Sequence, residues 1–303
     1  MNRSGEKPLY RYAKLSISVA ALIFVLGLTF CRKADKIQVP PRIGFLTDSG
    51  FVAHDTLLPV GSRILIGIEA AGTDAHITWF HVGWNNGREQ TVLDSGMNHP
   101  ALHFILPVIK TTDSLETWSF SVMDRNRNIS GIQLVLSRSD SAHYGEITTY
   151  PDIWLGAQHN LQQGGFLSLS GGRTWFLDGA FLCQDSIDIL YYYDVYDATL
   201  SSPNESDAPG IFSGPTGLSN WTVKNETRYD TTSLTPADFG LAENDSLILS
   251  VYEPVNLKRK AKFVTPGMII SFRAHSGKLG LIYVREVYPS DTGRIRISVK
   301  IQK

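Results

Sequence analysis

The chain is poor in the residues that staple, cradle or attract. Its 303 residues hold two cysteines, Cys31 and Cys183. A disulfide framework is excluded, so any folded part needs an apolar core of ordinary size. An excess of one charge is also missing: Lys and Arg total 28 against 29 Asp and Glu, for a net charge of −1. That balance argues against a nucleic-acid partner, which calls for a basic face. The glycine patterns that hold phosphates and dinucleotides are absent, as is a Gly-x-Ser-x-Gly turn for a serine nucleophile. No cofactor is therefore expected. From residue 43 to about 139 no segment carries an apolar period of 3.6 over a useful length. What remains is a chain that is 43% hydrophobic and 11% aromatic, enough to fill cores without helices.

One long apolar run exists, from Leu15 to Phe30. Arg3, Lys7, Arg11 and Lys14 precede it; Cys31, Arg32, Lys33 and Lys36 follow. It falls short of the roughly 20 apolar residues of a spanning helix. A cationic head, an apolar middle and a short end form an export signal. Leu28-Thr29-Phe30-Cys31 resembles the end of bacterial lipoprotein signals. The resemblance implies a signal peptide over residues 1–31, lipid on Cys31, and a membrane partner reached through that lipid. An outer-membrane lipoprotein of the cell envelope is then expected, with an uncleaved anchor or plain secretion as alternatives. Phe30 stands where those signals usually carry a small residue. The basic stretch Arg32–Lys36 stands where surface-exported Bacteroidetes lipoproteins tend to carry acids. The periplasmic and surface faces therefore both stay open.

Residues 32–42 read as a tether, because Pro40-Pro41 favours an extended spacer. From residue 43 to 140 short strands alternate with turns. Arg63–Glu69, His76–Val82, Thr91–Leu93, Leu102–Leu106, Glu116–Val122 and Gly131–Leu136 are the strands. This spacing predicts a β-sandwich. Trp118-Ser119-Phe120-Ser121-Val122-Met123-Asp124 followed by Arg125-Asn126-Arg127-Asn128 resembles the penultimate strand and hairpin turn of bacterial immunoglobulin-like and PKD-like domains. In that turn Asn126 or Asn128 takes the place of the usual glycine. The resemblance implies a spacer or binding platform.

Residues 145–303 read as a second β-rich domain, a sandwich or jelly roll with one or two short helices. The whole is thus an all-β protein. Strands are expected at Gly165–Leu169, Arg173–Leu177, Ser186–Tyr193, Ser246–Tyr252, Met268–Ala274, Gly280–Val287 and Arg294–Gln302. A helix start is expected at Thr235-Pro236, with Thr capping and Pro in the first turn. A long polar stretch from Thr199 to about Ser233 reads as loop. Ile187–Tyr193 with Ala198–Pro203, and the ending Gly277–Val284 with Gly293–Lys300, resemble C-terminal domains of uncharacterised Bacteroidetes envelope lipoproteins. That resemblance implies no activity.

No catalytic set emerges, so a non-catalytic role is expected. His99 and His103 would share a strand face but bring no third ligand, and His76 and His81 fall on opposite faces. Asp185 with Asp188, or Asp194 with Asp197, could serve a glycan hydrolase, which needs two acids about a bond; Asp185 and Asp188 are expected on opposite faces. Cys183, in an apolar context, reads as a buried inert thiol. The basic cluster Lys258–Lys262 reads as a solvated turn. The aromatics carry the binding hypothesis. Trp221 lies in the long polar loop beside Asn220. Tyr191 and Tyr193 share one strand face and Tyr192 the other. An exposed indole suits a sugar ring or a peptide side chain, so Trp221, Asn220, Tyr192 and Trp175 are the candidate ligand-binding residues, for a glycan or another envelope protein. The competing expectation is that Trp221 pins its loop to the sandwich. An adhesin or stalk without a small ligand is the structural alternative. Finally, Asp-Ser/Thr pairs at Asp55-Thr56, Asp113-Ser114, Asp140-Ser141, Asp185-Ser186, Asp230-Thr231 and Asp245-Ser246 resemble O-glycosylation acceptors of Bacteroidetes envelope proteins.

Overall fold

The structure, a computed structural model, describes residues 38–141, 144–255 and 257–303. The apolar run, Cys31 and most of the expected tether lie outside the described residues. Pro40–Lys303 forms one compact unit, and within it the chain builds two β-sandwiches. Pro41 is buried and Thr73 Oγ1 donates to the Pro40 carbonyl, so the Pro-Pro pair opens the folded part instead of serving as free spacer.

The first sandwich has eight strands: β1 (Arg42–Phe45), β2 (Thr56–Leu58), β3 (Arg63–Ala71), β4 (Ile77–Asn85), β5 (Glu89–His99), β6 (Ala101–Ile109), β7 (Leu115–Asp124) and β8 (Ile129–Arg138). They form a sheet β1-β3-β6 and a sheet β2-β8-β7-β4-β5. All pairs are antiparallel except β2 with β8. Alternation decides which face is core: on β7, Trp118, Phe120 and Val122 point inward and meet Trp84, Phe80 and Ile66. At the β7–β8 turn the left-handed residue is Arg127, with φ 67°, and not Asn126 or Asn128. Asn128 is used differently. Its backbone N–H and side-chain amide both donate to the Asp124 carboxylate at 2.9 Å.

The second sandwich pairs a sheet β11-β10-β12-β13 with a sheet β14-β15-β16-β17-β9. Its strands are β9 (Ile147–Gly156), β10 (Phe166–Ser168), β11 (Arg173–Trp175), β12 (Ile189–Tyr193), β13 (Ala198–Ser201), β14 (Arg228–Thr231), β15 (Ile269–Arg273), β16 (Leu279–Tyr288) and β17 (Arg294–Gln302). Strand β9 is absent from the sequence expectation because Pro151 interrupts its pattern. It is an edge strand, where a missing N–H is tolerated. The register with β17 shifts between Ile297 and Val299, and Ser298 Oγ donates to the Pro151 carbonyl there. Four short helices appear instead of one or two: α1 (Leu177–Phe181), α2 (Ala208–Ile211), α3 (Pro236–Leu241) and α4 (Ser246–Ser250). The start of α3 is as expected, with Thr235 and Asp238 capping each other reciprocally. Helix α4 replaces an expected strand. Its apolar run suits either period, and Ile248 and Leu249 find cover against Leu279 and Leu281 of β16.

The two sandwiches share a core at their joint. Val60 and Ile109 of the first pack with Phe239, Ile248, Leu249, Tyr252 and Ile269 of the second. Arg63 Nη2 also donates to Gln302 Oε1 across the joint. Directly behind Ile109 lies a buried ion pair. Lys110 Nζ is 2.6 Å from Glu116 Oε1, and both side chains are 0% exposed. Lys110 also donates to the carbonyls of Thr111 and Asp113, while Glu116 accepts from Thr111 N, Thr111 Oγ1 and Trp84 Nε1. Every donor and acceptor of the pair is thereby used, which is the condition for a buried pair to be tolerated. Glu116→Ala would strand a buried ammonium and is expected to cost about 3–5 kcal/mol. Replacing both partners with apolar residues should cost much less. Equilibrium urea unfolding of the two variants checks this.

Candidate functional site

The β15–β16 turn, Ala274–Lys278, lines two neighbouring hollows. One is a crevice of about 540 Å³ at the joint, walled by Leu65, Pro107 and Ile109 of the first sandwich and by Tyr252, Arg273 and His275 of the second. The other is a polar cleft of about 380 Å³ within the second sandwich. Asp185, Asp188, Asn225, His275 and Lys278 line it. Concavities of this size, at a domain joint and with few converging polar groups, are where small ligands usually bind.

Asp188 is a desolvated carboxyl in the cleft. It sits just before β12, and its Oδ2 accepts from Leu169 N at 2.8 Å. Burial pushes its carboxyl above the usual range, while the Leu169 N–H, the His275 charge and Asn225 pull the other way. Asn225 is itself fixed by its amide donating to the Asp185 carbonyl at 2.7 Å. Asp185 lies in a 3₁₀ turn, Gln184–Ser186, and not on a strand. The two acids therefore face one cleft, where a strand reading puts them on opposite faces. The signal in sequence was their spacing; the turn between them was not legible.

The four candidate ligand residues land elsewhere. Tyr192, Trp175 and Trp221 come together, but as a core with Phe166, Ala180, Phe212 and Leu218. Trp221 is 5% exposed and its Nε1 donates to the Thr216 carbonyl at 2.9 Å. Tyr192 is 1% exposed, and burial pushes its hydroxyl up to about 12. Asn220 is exposed, with its amide donating to the carbonyls of Gly214 and Pro215. A stacking platform needs a free ring face, and neither Trp221 nor Tyr192 has one. The reason is that the expected loop, Thr199–Ser233, is structured. Ala198–Ser201 is strand and Arg228–Thr231 is strand, and the segment between them lies over the outer face of the four-stranded sheet. Tyr191, on the other face of β12, points into the intersheet core. The indole pins its cover to the sheet.

Other expected features resolve similarly. His99 ends β5 and His103 lies on β6, and these strands belong to different sheets. The chain crosses between sheets at Pro100, so the two rings do not share a strand face. Among the described residues no group of three or more His, Cys, Asp or Glu is placed to hold a metal ion. Cys183 is half-buried, not buried, and Sγ donates to the Gly179 carbonyl at 3.3 Å. In the basic cluster, Lys260 pairs with Asp207 and Lys262 with Asp197 at 3.2 Å. Asp194 and Asp197 thus serve Lys262. Of the expected modification hydroxyls, Ser114, Ser141 and Thr231 are exposed. Ser186 Oγ donates to the Cys183 carbonyl and Thr56 Oγ1 to the His54 carbonyl.

A surface the sequence did not single out joins β9, β16 and β17. Arg294 lies over Trp154 at 4.5 Å and over Tyr288 at 5.1 Å. Arg296 makes a two-pronged contact with Asp152 and reaches Glu286 at 2.8 Å. Arg294 and Arg296 both stack on Trp154, while Tyr288 stays 48% exposed.

No protein-family model matches the chain, and no curated protein matches it. A solved structure described as an engineered protein is similar at 11% identity, over 33% of this chain and 20% of that one, with a TM-score of 0.24. The chain thus spans a fifth of that structure's length, and the likeness carries no argument.

Two outcomes follow from this geometry. Trp221→Ala should cost stability, about 3–5 kcal/mol as for other buried aromatics, read by thermal unfolding. Asp188 has a folded-state pKa above its unfolded one, so its ionisation opposes folding, and the penalty is absent at low pH. The melting temperature of Asp188→Asn relative to wild type should therefore rise with pH above about 4, the unfolded value. A difference that stays flat from acid to neutral pH contradicts the assignment.

Proposed function

We propose that the protein is a lipid-anchored component of a bacterial cell envelope, non-catalytic, in which the first sandwich is a rigid spacer and the second carries a binding groove. The observation that supports this reading is the position of the two ends of β3. At one end Arg42 of β1 pairs with Ala71, so the chain preceding Pro40 joins the sandwich at that pole. At the other end Arg63 pairs with Ile109 beside the shared joint core. The nine residues of β3 span about 27 Å. A lipid on Cys31 would then hold the groove away from a membrane by the length of the first sandwich. The buried joint supports a spacer that does not swing.

The strand order β1-β3-β6 against β2-β8-β7-β4-β5, with a parallel first strand on the second sheet, favours the immunoglobulin-like reading of that spacer. The ligand of the second sandwich is a glycan or another envelope protein, received in the hollows around His275 in place of the Trp221 loop. Asp185 and Asp188 facing one cleft favour a second reading, a glycan hydrolase, in which Asp188 would hold the proton. The two are separated by turnover of envelope polysaccharides with and without Asp188→Asn.

The anchor is tested in the native host. Cys31→Ala should move the protein from the membrane fraction to the soluble fraction and abolish labelling by a clickable palmitate. Retained membrane association without label would favour an uncleaved anchor instead.

A further inference from the structure

The crevice at the joint is apolar along one wall and is also lined by two arginines. In the β3–β6 ladder Arg63 is opposite Ile109 and Leu65 is opposite Pro107. These four side chains therefore share the outward face of the three-stranded sheet. Leu65 is 40% exposed and Ile105, on the same face, is 44% exposed. The backbone groups of this wall are spent in the ladder, and Pro107 has no N–H to offer. Arg63 and Arg273 both line the crevice. Neither has a carboxylate partner among the described residues; Arg63 donates to Gln302 Oε1 and Arg273 hydrogen-bonds the Tyr252 hydroxyl. Glu226 also lines the crevice, but it is engaged by Arg228 at 2.7 Å.

We propose that this crevice binds the anion of a medium-chain fatty acid, its carboxylate at Arg63 and Arg273 and its acyl chain along Leu65, Pro107 and Ile109. The two guanidinium groups, neither engaged by an acid, complement a single carboxylate. An acyl chain needs no hydrogen bonds, which suits a wall that offers none. An apolar peptide with a free C-terminus would bring amide groups that this wall leaves without partners. The crevice, at about 540 Å³, lies within the roughly 300–1,000 Å³ of small-molecule sites. The site belongs to the folded unit alone and does not depend on the anchor.

The test is photolabelling of the full-length protein with a diazirine-bearing decanoate, followed by digestion and mass mapping. Label is expected on the peptides carrying Leu65 and Pro107–Ile109. Decanoate should compete it, and decanol should compete about tenfold less well, the difference one charge-assisted contact makes. Arg273→Met should reduce labelling about tenfold. Leu65→Asp, at an exposed position, should do the same, and its result decides if Arg273→Met fails to fold. Three results would each overturn the proposal: label following exposure onto Leu161, Leu182 and Tyr196; decanol competing as well as decanoate; or an apolar hexapeptide with a free carboxylate competing better than decanoate.

Discussion

The Lys110–Glu116 pair holds the point where the two sandwiches meet. Lys110 is bound at both its backbone and its head. Its carbonyl accepts from Gly61 N and its N–H donates to the Ser62 carbonyl, both at 2.9 Å, while its ammonium reaches Glu116. That fixes the turn before β3 to the end of β6. Val60 and Ile109 flank this clamp, and both project into the shared core. A charge so deeply buried is costly unless every bond is made. Here the bonds come from Thr111, Asp113 and Trp84 as well as from the partner. The pair thus ties the packing of the first sandwich to the geometry of the joint, and the crevice inherits its shape from both.

The second sandwich solves a different problem. Strand β12 is apolar on both faces, so one sheet partner is not enough. The five-stranded sheet covers Tyr191 and Ile189, and the segment from Ser202 to Thr227 covers Tyr192 and Leu190. That segment is stitched down by Trp221, by Thr227 Oγ1 to the Asp188 carbonyl, and by Tyr229 Oη to the Ser201 carbonyl. Its stability therefore comes from tertiary packing and not from its two single-turn helical pieces. The same cover places Asn225 beside Asp188 and so helps build the polar cleft.

Function follows from where these constraints leave open space. Trp175, Tyr192 and Trp221 of the second sandwich are consumed as core, and Lys260 and Lys262 are paired with carboxylates. Around the joint the structure leaves two guanidinium groups without acids and an apolar wall, and the neighbouring cleft holds a desolvated carboxyl near His275. The open space therefore lies at the joint and in the cleft beside it.

Much of the first sandwich was legible in the sequence, because one face of each strand is core and the period of two shows it. Trp118, Phe120 and Val122 announce β7 without help from any other strand. The Thr235-Pro236-Ala237-Asp238 helix start was legible for a similar reason, since both halves of its cap lie within four residues. Strand β9 was not, because its pairing with β17 offsets the loss at Pro151 from the far end of the chain. Helix α4 was not, because Ser246–Ser250 suits either period and only the cover of β16 chooses. Trp221 shows the limit most plainly. Its sequence neighbours are polar, and exposure looks natural until the segment folds over Tyr192 and Phe166. Local alternation and capping act between near neighbours and can be read along the chain. Which face is buried, which acids meet and where a crevice remains depend on contacts between residues far apart in sequence, and those only the tertiary structure decided.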